Sequence, residues 1–190
     1  MSLSSLEKRI NKQGKNAELQ VSSILHSLGS EYFVFDNVLL ETKGGTTQID
    51  HIVISPYGIF VIETKSHKGI IYGDDNSKYW IQLLGRCKRF TFYSPYKQNY
   101  GHLRNLYRLL NLTPEYFLGI ICFTNEGVDL SKCYCSRVTH ISKLYNIIIS
   151  HRTVLFTQVQ LESICKVLCE NNKQSKYMDK KHIAYVKSMK

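Results

Sequence analysis

No stretch of the 190-residue chain approaches the ~20 consecutive apolar residues that a transmembrane helix needs; the longest candidates lie at Phe117–Phe123 and Ile147–Ile149. The first ten residues lack the uninterrupted apolar centre of a signal peptide, so a cytoplasmic protein is expected. Internal repeats and Pro/Gly/Ser linkers are also missing, which favours one domain with a C-terminal elaboration. Zinc-knuckle spacing is absent: Cys133-x-Cys135 and Cys165-x-x-x-Cys169 do not provide it. All six cysteines, including Cys87 and Cys122, are scattered through a chain large enough to build a core, and they are expected to be thiols. Gly44-Gly45 is a turn and not a phosphate loop, because no P-loop lysine or helix start follows it. Acid is scarce. Fifteen Asp and Glu stand against 25 Lys and Arg, a net charge of +10 and a pI near 9.3. Such an excess is a common footprint of phosphate binding, although it also serves solubility. No segment has the basic amphipathic pattern of an interfacial helix, which places nucleic acid ahead of a membrane as partner.

Apolar residues from Leu6 to Leu28 recur at spacings of three and four, which predicts a helix with Gly14 as a weak point and Gly29 as its stop. Glu18 sits beside that stripe, at the edge of the face to be buried. Tyr32–Leu40 is aromatic and β-branched, a first strand. Short strands are expected at Ile70–Tyr72 and around Trp80 and Gln82. Pro95 opens a helix of about 96–110, and Phe117–Phe123 reads as a buried strand. Strand, helix and strand together imply a mixed sheet with a crossover. Further on, a strand at 138–141, a helix at 143–149 and a helix behind a Thr157/Gln160 capping box, to about Glu170, are expected. From Lys173 to Lys190 the chain is polar and lysine-rich, a solvated segment or a basic arm.

The chemistry concentrates between Gln48 and Lys65. Two apolar runs flank a Ser55-Pro56-Tyr57-Gly58 turn, a hairpin whose strands are too hydrophobic to meet water on either side. Three charges interrupt it. Side chains alternate along a strand, so Glu63 and Lys65 share a face, and across the turn Asp50 can meet them. His51 points to the opposite face, as a packed histidine. Charges in an apolar setting are costly unless they pair or hold a metal. Two carboxylates suit Mg²⁺, and an adjacent lysine can orient an attacking water, the set that phosphodiester hydrolysis requires; a structural ion network is the other reading of the same spacing. Gln98 and His102, four residues apart, are neighbours on the second helix, and Arg104 and Arg108 form another such pair on a different side. Arg86, Lys88 and Arg89 interleave with Phe90, Phe92 and Tyr93, a pattern shared by nucleic-acid surfaces and exposed strand edges. With Lys97, Arg104 and Arg108 they are the candidate nucleic-acid contacts.

Gly14 with Glu18, Phe35-Asp36-Asn37-Val38, Thr46 to Ile52, Gly58 to Lys65, Gly69, Trp80 with Gln82, and Pro95 with Gln98-Asn99 and His102 occur in order. This set resembles the nuclease-related domain, NERD, a family similar to the PD-(D/E)xK nuclease superfamily. The resemblance implies a restriction-endonuclease-like α/β core, a central mixed β-sheet flanked by helices, with a C-terminal helical elaboration. It implies a nuclease-like domain over residues 1–172, its motifs within about 14–123, and a basic tail at 173–190. It also implies a metal-dependent nuclease acting on DNA, with Mg²⁺, or Mn²⁺ in its place, as cofactor; the sequence does not decide between DNA and RNA. Asp50, Glu63 and Glu18 fall on the family's metal-binding acids, Lys65 on the lysine of its Glu-x-Lys, and Gln98 on the glutamine of the following helix. Two positions depart from the pattern: Ala17 stands where glycine is frequent, and His102 where related exonucleases carry tyrosine. A nucleic-acid-binding module of the same fold without turnover is the alternative expectation.

Overall fold

The computed structural model describes residues 3–42, 44–85 and 87–174. Arg86 and residues 175–190, most of the lysine-rich C-terminal segment, lie outside them. The architecture grows from the central hairpin, β2 (Gly45–Ser55) and β3 (Gly58–Lys65), which pairs antiparallel from Ser55 opposite Gly58 to His51 opposite Ile62. Seven consecutive residues of β3, Gly58 to Thr64, are buried, as expected of a strand covered on both faces. β1 (Phe33–Thr42) lies antiparallel on the outer side of β2. On the other side of β3, β7 (Phe117–Phe123) and β9 (Val138–His140) continue the sheet in parallel, giving the order β1-β2-β3-β7-β9.

Alternation along the strands sends apolar side chains to two separate cores. On one face, Ile52 and Ile54 of β2 and Ile59 and Val61 of β3 pack against Leu103 and Leu106 of α2 (Pro95–Leu110) and against Leu161, Ile164 and Leu168 of α4 (Gln158–Asn171). On the other, Val53, Phe60 and Ile62 meet Val21 and Leu25 of α1 (Leu3–Leu25) and Leu144 and Ile148 of α3 (Ile141–Ser150). Each such aliphatic or Phe side chain withdrawn from water contributes about 1.5–3 kcal/mol, so the two apolar layers hold the sheet between its helices.

Most predicted elements appear near their expected bounds. α1 runs unbroken through Gly14 and ends at Leu25, not at Gly29, because Ser27 and Leu28 close tighter turns onto Ile24 and Leu25. The Thr157/Gln160 capping box is formed. α2 starts as its sequence dictates, with Pro95 in the first turn and the Ser94 hydroxyl accepting from the Lys97 N–H at 3.3 Å.

A second sheet arises inside the β3–β7 crossover. β4 (Gly69–Tyr72), β5 (Tyr79–Leu84) and β6 (Lys88–Tyr93) form an antiparallel meander, and β8 (Val128–Asp129) joins the far side of β4 in parallel. Its anchor is Trp80, fully buried with Ile71, Ile121 and Phe123, its indole N–H donating to the Asp74 carbonyl at 3.0 Å. Gly73 makes room for it: a Cβ there would collide with the indole. None of the six cysteines is in a disulfide. Among the described residues no helix is long and apolar enough to cross a membrane. The chain is thus a mixed α/β protein whose central mixed sheet and flanking helices are as expected, with a second mixed sheet beside them.

Candidate active site

The ladder between β2 and β3 stops at His51 and Ile62, so Asp50 and Glu63 emerge where the two strands no longer pair. On the β1 side, Asn37, which the register would set opposite Asp50, turns to a left-handed φ of 52°. The Asp50 carboxylate takes over as backbone partner, its Oδ2 accepting from the Thr64 N–H at 2.8 Å. This anchors the side chain of one strand to the backbone of the next, at the opening of the sheet.

Glu63 and Lys65 share the face covered by α2, as alternation requires. Glu63 is 2 % exposed. Its Oε1 accepts from Lys65 Nζ at 2.6 Å, and Lys65 Nζ also donates to Gln98 Oε1 of α2 at 3.2 Å. The second Glu63 oxygen lies 3.3 Å from His102 Nε2, close enough for charge attraction but outside good hydrogen-bond angles, so both atoms remain without a hydrogen bond. The opposite ring nitrogen of His102 is 2.9 Å from the Thr47 hydroxyl. α2 is held against the sheet by Asn99, whose Nδ2 donates to the Val61 carbonyl at 3.0 Å, and by Gly119, where a Cβ would collide with the Asn99 side chain. Gln98 and His102 flank that contact on the helix and thereby reach the two charged residues of β3.

The two carboxylates are driven apart in acidity. Burial first, and then the charge of Glu63, push the Asp50 carboxyl up to about 6. Burial acts on Glu63 in the same direction, but His102 and Lys65 outweigh it and hold Glu63 below its ordinary value. Neighbouring titratable groups pushed in opposite senses are a recurrent arrangement at acid–base centres. His67, two residues beyond Lys65, is pushed down to about 4 by burial and by the Lys65 charge, so its ring is neutral.

Glu18 lies half-buried on α1 and lines one cavity with Thr64, Lys65, Ser66 and His67, on the margin of the site, and a second with Asp36 and His51. Among the described residues no group of three or more His, Cys, Asp or Glu side chains is arranged to hold a metal ion. Asp50 and Glu63 therefore stand as a pair, with Glu18 nearby on a separate element. Of the candidate nucleic-acid contacts, Lys88 and Arg89 are exposed on β6. Arg104 and Arg108 are exposed on α2, where helical geometry aligns them with half-buried Lys97 in a stripe about a quarter turn from Gln98.

Two features escaped sequence reasoning. The approach of His102 to Glu63 depends on how α2 docks; the only signal was its i+4 spacing from Gln98. The second is a polar cluster on the α1 face. His51, buried as expected, places Nδ1 2.6 Å from Asp36 Oδ1. Asp36 Oδ2 accepts from Ser22 Oγ at 2.7 Å and lies 2.9 Å from His26 Nε2. The register that sets Asp36 opposite His51 creates this contact.

Residues 13–124 match the model of the nuclease-related domain, NERD, a span that contains every residue of the constellation. An uncharacterized protein of Bacillus anthracis is 33% identical, over 92% of this chain and 84% of its own length. A crystal structure of a protein of unknown function aligns over 93% of this chain and 95% of its own at 12% identity, with a TM-score of 0.33, too distant to support an argument. With its sheet opening, its Asp50, its Glu63-x-Lys65 and its helix glutamine all inside the matched span, the chain belongs to the nuclease-related domain family.

Proposed function

We propose that the chain is a metal-dependent nuclease that hydrolyses DNA phosphodiester bonds at the Asp50–Glu63–Lys65 centre. The observation that carries this reading is the pairing of buried Glu63 and half-buried Asp50, two carboxylates of opposed acidity, with a lysine held by both Glu63 and Gln98. A buried ion pair adds little net stability after desolvation, so a network of this kind at the opening of an apolar sheet calls for a role beyond folding.

The donors fit a hard divalent ion. Asp50 and Glu63 offer carboxylate oxygens, one of which, Glu63 Oε2, is buried without a hydrogen bond, and burial, followed by the neighbouring charge of Glu63, drives Asp50 towards protonation. These two residues would hold Mg²⁺, or Mn²⁺ in its place, with Glu18 assisting from α1. Bound there, the ion supplies neutralisation of the charge on the phosphate. Lys65 would position the attacking water, Gln98 keeps the Lys65 ammonium in place, and His102 keeps Glu63 ionised. Lys88, Arg89, Lys97, Arg104 and Arg108, with Arg86, would bind the phosphates of the strand.

The test is incubation of the protein with linear and supercoiled DNA in Mg²⁺. Wild type should nick or degrade it, and Asp50→Ala should be slower by roughly 100-fold or more. Equal survival of intact DNA with both proteins would remove the catalytic reading. A nucleic-acid-binding module without turnover is favoured by a different observation: Lys65 already pairs with Glu63, the His102 ring lies against its second oxygen, and the described residues contain no three-donor group. That reading requires salt-sensitive DNA binding without cleavage, whose salt slope falls as basic residues are removed.

A further inference from the structure

The β5–β6 hairpin has two faces, and the register distinguishes them. Phe92 is opposite Trp80, Phe90 opposite Gln82 and Lys88 opposite Leu84. Side chains alternate, so Trp80, Gln82, Phe92, Phe90 and Lys88 share one face, and Tyr79, Tyr93 and Arg89 lie on the other. The first face looks towards the segment that leaves the candidate active site. Gln82 Nε2 donates to the Lys68 carbonyl at 2.7 Å, and the His67 ring stacks on Phe92 with centroids 4.2 Å apart and planes 24° apart. His67 in turn lines the cavity that contains Lys65, Thr64 and Glu18.

A row of flat rings therefore starts at that cavity and runs along the hairpin: His67, Phe92, then Phe90. The first two are half-buried. Phe90, about 7 Å further along the strand, is 50 % exposed. An isolated exposed apolar residue needs no explanation, but this one follows Phe92 on the face that leads out of the site, with exposed Lys88 two residues away on the same face and exposed Lys68 tied through its carbonyl to Gln82, the residue opposite Phe90. The stretch of chain that carries it has charge of one sign: residues 76–114 contain no Asp or Glu and seven Lys or Arg. A ring face among cations complements a polyanion whose bases are free to stack, which describes a single strand and not a closed duplex.

We infer that Phe90 is a stacking platform for an unpaired base, with Lys68 and Lys88 on the adjoining phosphates, and that the strand delivered to the Asp50–Glu63–Lys65 centre is single-stranded DNA. The inference rests on the nuclease reading only for what happens to the strand; the binding itself is independent of turnover. Tyr93, on the opposite face and 47 % exposed, provides an aromatic control of similar exposure.

The experiment measures fluorescence anisotropy of labelled single-stranded and duplex oligonucleotides of equal length, without added metal, for wild type, Phe90→Ala, Phe90→Trp and Tyr93→Ala. Phe90→Ala is expected to weaken single-strand binding roughly tenfold, with duplex binding changed less than about twofold. Phe90→Trp should restore single-strand binding, and Tyr93→Ala should leave it unaltered. Because Phe90 is half exposed, folding is preserved, and the tryptophan variant checks this directly. An equal loss on duplex, no loss on either substrate, or an equal loss from Tyr93→Ala would each overturn the inference. Cleavage by wild type and Asp50→Ala is followed on the same oligonucleotides with Mg²⁺. Its absence would defeat the nuclease reading while the anisotropy still decided the role of Phe90.

Discussion

The central sheet carries a polar cluster on each face, and the two are opposites in how well their charges are satisfied. On the α1 face, both oxygens of Asp36 are engaged, by His51 on one side and by Ser22 and His26 on the other. Burial would raise the Asp36 carboxyl, but these partners overcome it and hold it well below the usual carboxylate range. On the α2 side, Asp50 accepts one backbone N–H, has Glu63 as a neighbour of like charge, and is pushed up to about 6. One carboxylate is stabilised by its surroundings and the other is strained by them. Well-satisfied polar clusters specify packing, whereas a charge kept at a cost marks a place where folding has been subordinated to chemistry.

Three measurements bear on that contrast. The largest effect is expected from Lys65→Ala, which leaves Glu63 buried with only the His102 ring beside it. Breaking a buried pair in this way costs roughly 3 kcal/mol, read as a lower urea midpoint at unchanged m-value; a loss below about 0.5 kcal/mol would mean that Glu63 does not depend on its lysine. A smaller effect of opposite sign should come from Asp50→Asn. The amide oxygen can still accept from Thr64 N–H while the repulsion with Glu63 disappears, so the metal-free protein should gain about 1 kcal/mol at pH 7, the usual sign of a stability–function exchange. Destabilisation would show that the site is not strained and would erase the difference between the two faces.

The smallest effect concerns acid. The pKa of Asp36 is depressed by folding, so its contribution is complete above the unfolded value of 3.8 and is lost as the pH falls below it towards the folded value. Wild type should therefore lose stability steeply below about pH 4, and Asp36→Asn, less stable at neutral pH, should show a flatter decline. Parallel acid-unfolding curves for the two proteins would contradict the assignment of Asp36 as the satisfied carboxylate.

Local pattern made much of this legible in advance. The shared face of Glu63 and Lys65 follows from a period of two, the start of α2 from Ser94-Pro95, and the opening of α4 from Thr157 and Gln160. β8, with two residues and a parallel partner in β4, offered no periodicity to read. Asp36 sits in a strand predicted correctly, yet its partners come from β2, from α1 and from His26 just past the end of α1, 10 to 15 residues away along the chain, and only the register and helix packing unite them. The alternation of Phe90 and Tyr93 between faces was equally implicit, but which face turns towards Lys65 depends on the bond from Gln82 to Lys68.

By itself, then, the sequence determined the elements and the chemistry available: a hairpin too apolar for water with three charges in it, a basic excess, and the motif order of a nuclease-related domain. Both follow from near neighbours, because strand alternation, capping and turn formation act over a few residues. Tertiary structure alone decided which of those charges is content and which is strained. It ended the β2–β3 ladder at His51, set Asp50 against Thr64 and Glu63, and brought His102 and Gln98 down from α2. Burial and the partners within a few ångströms govern the acidity of a carboxylate, and both are properties of the packed sheet and not of the strand that carries it.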